Sequence, residues 1–332
     1  MINFALLGAG RIGSIHGANV ARHPDANLVA LYDPFQENAD RLSAQLGCKQ
    51  LSLDEIFADD SIDAVLICSA TDTHADFIEQ AVANNKHVFC EKPIDLSLAR
   101  VNDCCVSVAA TDCKALVAFN RRFDPNFQLL QQQCSQGVIG EIEMVNIISK
   151  DPSPPPIEYI KTSGGLFRDM TIHDFDVARF MLGEEIVDVS AHASCLVDSD
   201  IAKAGDVDTA MITLKTASGK LAQITNSRRA SYGYDQRVEV HGSQGMLETR
   251  NINESSVTAH TASGVNGPKP LHFFLERYEA AYKSEIDTFI RSLNGEAVSF
   301  PSMNDGLQAL LIADAALLSY QLGRTVKISE IA

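Results

Sequence analysis

Three side chains in this sequence have the chemistry to help a proton leave an oxygen: the carboxylate of Asp169 and the imidazole of His173 as acceptors, and the ammonium of Lys92 as a cation that favours the oxyanion left behind. Asp169 and His173 stand four apart in GGLFRDMTIHDFD, residues 164–176, where the apolar members predict a helix buried over most of its surface and stopping at Gly183. On one helix that spacing stacks two side chains on neighbouring turns, so both can meet one small molecule or pair with each other. A partly desolvated, oriented imidazole suits a general base near neutral pH, although the same two residues would also make an ordinary ion pair. Lys92 is followed by Pro93, which has no N–H for a sheet and biases the preceding residue toward extended backbone. A strand must therefore stop there, with the lysine at its edge. A cation in that place can bind a substrate oxygen and favour the alkoxide form of a hydroxyl.

The elements that must hold these groups begin at the amino terminus. Residues 2–7 read as a buried strand running into Gly8-Ala9-Gly10-Arg11-Ile12-Gly13, after which apolar residues continue at helical spacing. In this setting Gly8 permits the tight turn, Gly10 lets the backbone approach a pyrophosphate, and Gly13 lets helix and strand pack closely. The free N–H groups at the helix start, Arg11 and Ile12 among them, then face the phosphates. A second strand, 28–32, ends in Asp33, twenty residues beyond Gly13, where a carboxylate can accept from the adenosine ribose. That position favours NAD over NADP, since a 2′-phosphate would face the Asp33 charge. Strands at 64–68, 87–90 and 115–119 alternate with helices at 37–46, 74–83 and 97–110, which predicts an α/β, doubly wound parallel sheet of Rossmann type. Ligands sit at the carboxyl ends of such strands, so Ser69, His74, Glu91, Lys92 and Arg121 are candidate cofactor contacts.

At 332 residues the chain predicts two domains, 1–120 for NAD and 121–300 for substrate and assembly, with a terminal helix in 301–332 packing back on the first. The second half differs in texture. Successive short strands at 142–149, 186–195, 209–215, 221–226, 236–241 and 246–248 predict an α+β domain with a large, mostly antiparallel, open-faced sheet. One face would carry a helix, and the other would be left for a partner subunit, hence a homo-oligomer. The net charge of −16 disfavours nucleic acid, and no apolar run is long enough for a membrane. The eight cysteines show neither CxxC nor zinc spacing, so no metal is expected, and a reduced, cytoplasmic protein is.

With these residues in hand, the sequence resembles the glucose-fructose oxidoreductase, inositol dehydrogenase and rhizopine catabolism (Gfo/Idh/MocA) family, and most closely its inositol 2-dehydrogenase branch. The resemblance runs through the glycine motif with His16, Cys90-Glu91-Lys92-Pro93, Phe119-Asn120-Arg121-Arg122-Phe123-Asp124, Lys150-Asp151-Pro152 and residues 164–176. It continues in Asn226-Ser227-Arg228-Arg229-Ala230, Tyr232-Gly233-Tyr234 and Phe273-Phe274-Leu275-Glu276-Arg277-Tyr278. It implies that His173 is the acid/base for the hydroxyl proton, that Asp169 binds substrate and holds His173, and that Lys92 completes the catalytic group. Arg122, Asp151 and Tyr234 would hold other hydroxyls of a polyol, with Tyr232 an alternative to Tyr234. The implied reaction is NAD-dependent oxidation of a cyclic polyol, myo-inositol to 2-keto-myo-inositol, in a homotetramer. Another sugar or inositol isomer, or a non-catalytic nucleotide-binding regulator, are the other readings.

Overall fold

A computed structural model describes residues 1–331, which divide into two compact units: 1–123 with 281–310, and 124–280 with 311 onward. In the first unit strand β1 (Ile2–Leu7) leads into helix α1 (Arg11–Ala21). Then follow β2 (Ala26–Tyr32), α2 (Gln36–Leu46), β3 (Lys49–Gln50), α3 (Leu53–Ala58), β4 (Ala64–Ile67), α4 (His74–Ala83), β5 (His87–Glu91), α5 (Leu98–Ala109) and β6 (Ala115–Ala118). The six strands form a parallel sheet in the order β3-β2-β1-β4-β5-β6, the doubly wound architecture that the alternating pattern predicted. β1, β4, β5 and β6 are buried along nearly their whole length, as parallel strands covered on both faces must be. Helix α3 was not foreseen, although Ser52 and Glu55 form a capping box that marks its start.

The second unit opens with α6 (Pro125–Ser135), started by the Asp124 carboxylate on the Asn126 and Phe127 N–H groups and by Pro125 in the first turn. It continues through β7 (Ile142–Lys150), α7 (Ile157–Ile160), α8 (Gly165–Asp169), α9 (Ile172–Leu182), β8 (Ile186–Ser194), α10 (Ser199–Lys203), β9 (Thr209–Thr216), β10 (Leu221–Ser227), β11 (Asp235–Gly242) and β12 (Gly245–Thr249). A short hairpin, β13 (Ala259–Thr261) and β14 (Gly264–Asn266), and helix α11 (Phe274–Arg277) follow. Helix α12 (Glu279–Leu293) then enters the first unit, helix α13 (Met303–Leu322) leaves it, and β15 (Val326–Lys327) closes the larger sheet.

That sheet has the order β12-β11-β7-β10-β9-β8-β15 and is antiparallel except for the β7–β10 pair. Strand alternation sends Val145, Ile147, Ala191, Ile212, Leu214, Ile224, Val238 and Val240 into one core with α6, α9 and the second half of α13. The opposite face carries Met144, Met211, Leu221 and Met246, all exposed. Among the described residues no helix is long and apolar enough to cross a membrane.

Candidate active site

In the first unit the groups suited to a dinucleotide are main-chain groups, and glycine makes room for them. Gly8 has φ +102, and a Cβ on it would lie 2.6 Å from the Cys68 carbonyl group; a Cβ on Gly13 would lie 1.9 Å from the Gly8 oxygen. A Cβ on Gly10, by contrast, would meet nothing within 4 Å, so the face where a pyrophosphate should approach is open. Gly10 is the N-cap of α1, no side chain caps the helix, and its first turn holds no acidic residue, which leaves donors and the positive end of the helix dipole for an anion. These features fit a dinucleotide. Asp33 braces the loop: its Oδ2 accepts from the Ala9 N–H at 2.6 Å and its Oδ1 from the Phe35 N–H at 2.8 Å. The carboxylate therefore both starts the turn after β2 and lies against the glycine loop, with further lone pairs for a ribose. Arg41 of α2, not singled out from the sequence, donates to the Ala9 carbonyl at 2.9 Å.

The other predicted cofactor contacts divide by environment. Arg11 is exposed and Ile12 and Ser69 are half-buried, with Ser69 Oγ 2.6 Å from Thr73 Oγ1. His74 is buried with Nδ1 2.8 Å from the Pro93 carbonyl and Nε2 3.1 Å from that of Ser69. Burial pulls its pKa down, so the neutral ring donates to one carbonyl at a time and ties together the loops after β4 and β5. Glu91 accepts from His16 of α1 at 2.8 Å, and Lys92, half-buried, follows it at the end of β5. Arg121 is buried, and Arg122 pairs with Asp305 at 2.8 Å.

In the second unit the stretch from 164 to 182 is two helices where one was expected. α8 ends at Asp169 and α9 starts at Ile172. Both intervening residues keep right-handed helical angles, but the Thr171 N–H reaches back five residues to the Leu166 carbonyl at 2.9 Å, a local widening of the helix. The Thr171 hydroxyl donates to Asn226 Oδ1 at 2.7 Å, and Asn226 Nδ2 donates to Asp174 at 2.8 Å and to the Ser149 carbonyl at 3.3 Å. Asn226 on β10 thus grips the junction from the sheet side. Asp169 and His173 consequently sit at the end of one helix and in the first turn of the next, both half-buried. Gly183, at φ +64, stops α9 where the sequence predicted.

Asp169 is held from two sides. The Tyr159 hydroxyl donates to its Oδ1 at 2.8 Å, and Arg228 Nη2 lies 3.4 Å from its Oδ2. Arg228 is almost fully buried and also lies 3.9 Å from Asp206, whose Oδ1 takes the Leu166 N–H at the start of α8. Asp151, half-buried, follows β7 and donates its N–H to the Ser227 carbonyl at 2.9 Å.

The two tyrosines left open by the sequence separate. Tyr234 is buried against Phe273 and Tyr278, with ring centroids 6.5 and 6.0 Å away. Tyr232 is 44% exposed and donates to Asp235 at 2.6 Å; burial of its hydroxyl and the Asp235 charge raise its pKa to about 12. It lines a cavity of about 850 Å³ on the sheet's outer side together with Asp235 and Arg237.

Known proteins match the chain over nearly its whole length. Residues 2–119 match the model of an oxidoreductase family with an NAD-binding Rossmann fold, and residues 127–248 match the Gfo/Idh/MocA C-terminal domain. The inositol 2-dehydrogenase of Rhizobium meliloti (strain 1021) is 51% identical over 329 residues, 99% of each chain. The chain belongs to the Gfo/Idh/MocA family. Solved members superpose on it closely. A myo-inositol dehydrogenase from Corynebacterium glutamicum is 45% identical with a TM-score of 0.94, covering 98% of each chain. A scyllo-inositol dehydrogenase from Lactobacillus casei, solved with NAD(H) and scyllo-inositol, is 31% identical with a TM-score of 0.92, covering 99% of each.

As a Gfo/Idh/MocA oxidoreductase the protein is an NAD-dependent dehydrogenase. The first unit offers uncapped backbone donors at a helix start, a carboxylate against the glycine loop and a lysine at a strand end. The second offers a fixed carboxylate and an imidazole at a helix start. Tyr159 and Arg228, which orient Asp169, were not picked as site residues from the sequence. For Tyr159, five positions beyond Pro154, nothing local distinguishes it. Arg228 stood in a quoted motif, and its cue was a cation in an otherwise apolar-polar strand ending.

Proposed function

We propose that this dehydrogenase oxidises myo-inositol at its C2 hydroxyl to 2-keto-myo-inositol, with NAD as the acceptor. Removing hydride from a secondary alcohol carbon and the proton from its oxygen turns one C–OH into C=O, and bound NAD supplies the electrophilic carbon that receives the hydride. His173 takes the hydroxyl proton. Asp169 binds a neighbouring hydroxyl and holds His173 in orientation, while Lys92 stabilises negative charge developing on the oxygen. Arg122, Asp151 and Tyr234 receive the remaining hydroxyls. The fixed Asp169 carrying the reading has one oxygen on Tyr159 and the other beside Arg228, a geometry suited to a polyol with one preferred orientation. Gly8, Gly10, Arg11, Ile12 and Gly13 cradle the pyrophosphate, Asp33 accepts from the ribose, and Ser69, His74, Glu91 and Arg121 shape the rest of the cofactor site.

The protein works as a homo-oligomer in the cytoplasm, a homotetramer in this reading. Four large apolar side chains exposed on the outer face of the seven-stranded sheet support a partner subunit there. The deciding assay follows NADH absorbance with myo-, scyllo- and chiro-inositol and glucose, each with NAD or NADP. The highest kcat/KM is expected for myo-inositol with NAD. A higher value for another isomer would move the substrate, and no NADH from any of them would leave a nucleotide-binding regulator.

A further inference from the structure

Glu285 of α12 is fully buried in the first unit, and among the described residues no donor reaches either of its carboxyl oxygens. It faces His16 of α1, whose Nε2 is 3.7 Å from Glu285 Oε1, and Glu91 at the end of β5; the ligating atoms of the three lie within 4.8 Å of one another. The same His16 nitrogen donates to Glu91 Oε1 at 2.8 Å. Around them are the His16 contacts with the rings of Phe89 and Tyr282, 4.8 and 5.7 Å away, and the buried Cys68 thiol after β4. An ionised Glu285 would be a buried charge without donors beside a second carboxylate, the arrangement that burial penalises most. A carboxylic acid, with an O–H to give, fits. Burial first and the Glu91 charge second push its pKa well above the ordinary carboxyl range. A metal ion fits less well, because the His16 nitrogen that would face it already makes a direct hydrogen bond to Glu91.

We propose that Glu285 is a positioning residue acting as a neutral acid: its O–H and the His16 N–H hold the Glu91 carboxylate from two sides and so fix the strand end from which Lys92 projects. The trio joins three elements of one unit: the helix that receives cofactor phosphates, the strand that ends in Lys92, and α12. The catalytic part of this inference rests on Lys92 acting as proposed above. The protonation of Glu285 does not.

The test compares wild type with Glu285→Gln, which keeps a neutral donor, and Glu285→Leu, which does not. An unfolded glutamate ionises near 4.5, whereas the folded one keeps its proton, so wild type loses stability as pH rises above that value and the glutamine variant has no such loss. The melting temperature of Glu285→Gln should therefore rise relative to wild type by about 3 °C per pH unit as pH climbs above that value, until the folded glutamate itself ionises. The groups facing Glu285 that could blur this are His16, Glu91 and Cys68, and all three are common to both proteins. In turnover of myo-inositol, Glu285→Leu should lose about tenfold in kcat with NAD affinity within about twofold, and Glu285→Gln should recover most of that loss.

A melting gap that stays flat with pH would overturn the neutral acid. Glutamine behaving as poorly as leucine in kcat would overturn the positioning role. Zn²⁺ or Mn²⁺ that raises the melting temperature of wild type but not of Glu285→Gln would assign the trio to an ion instead. If wild type oxidises no polyol at all, the functional reading fails by itself, and the pH-dependent gap still decides the state of Glu285.

Discussion

The two units hold their functional groups by opposite means. Around the glycine loop of the first unit the proposed working groups are backbone N–H donors, and the loop is defined by missing side chains: atoms at Gly8 and Gly13 would collide with backbone, and one at Gly10 would not. Around Asp169 and His173 in the second unit the proposed working groups are side chains, and other side chains define them. Tyr159 and Arg228 hold the carboxylate, while Asn226, Thr171 and Asp174 hold the helix junction. A site made of backbone tolerates no added atom at its tight positions. A site made of side chains tolerates additions but fails when one partner is removed.

The largest effects should separate these two failures. His173→Ala should cut kcat for myo-inositol by about a thousandfold while NAD affinity stays within about threefold, because the proposed general base is lost and no backbone moves. Lys92→Ala should behave similarly. Gly13→Ala should do the reverse: a methyl placed 1.9 Å from the Gly8 oxygen must displace the loop, and NAD affinity should fall by about a hundredfold or more. Isothermal titration with NAD beside steady-state kinetics reads both. A His173→Ala protein that turns over normally would remove the base from its role, and a Gly13→Ala protein with normal NAD affinity would remove the steric account of the loop.

The same contrast explains what could be read from the sequence. Glycine spacing, strand ends and the Asp33 position are local, and β1, β2, α4 and most later strands lie within a residue or two of their sequence-based bounds. The break between α8 and α9 was not legible, because Met170 and Thr171 are compatible with a helix and the residue that grips the junction, Asn226, is 55 positions away from Thr171. The parallel pairing of β7 with β10 was hidden for the same reason, since strands consecutive in sequence suggest antiparallel neighbours. Contacts between His16 and Glu91 span 75 residues and have no periodicity to announce them. Helix α3 is a different case: its start signal is local, a capping box of Ser52 and Glu55.

A smaller effect would sharpen the second half of the comparison. Asn226→Ala removes two hydrogen bonds from its amide and one into it, all buried, with Thr171, Asp174 and Ser149 as partners. Loss of about 2–4 kcal/mol in stability is expected, with a drop of about tenfold in kcat because the α8–α9 junction loosens under both Asp169 and His173. NAD affinity, set in the other unit, should not change. If kcat is unaltered in a variant that melts earlier, the junction serves the fold alone.

The smallest effect concerns coenzyme choice, and it tests whether a side chain matters in the unit where backbone dominates. Asp33 spends one oxygen on the Ala9 N–H and the other on the Phe35 N–H, so serine, with a single hydroxyl, can keep one of these bonds but not both. What serine removes altogether is the charge that a 2′-phosphate would meet. Asp33→Ser should therefore raise the ratio of NADP to NAD turnover by about tenfold, some weakening of NAD included. Arg41 gives a second handle, because its guanidinium is already hydrogen-bonded to the loop at the Ala9 carbonyl. With Asp33 gone, that cation is the nearest identified countercharge for a 2′-phosphate, and Asp33→Ser combined with Arg41→Ala should lose most of the gain. A gain that survives the double substitution would mean that relief of repulsion is sufficient. An unchanged ratio in Asp33→Ser would show that the carboxylate serves only the turn, and that coenzyme choice in this unit is made by backbone as well.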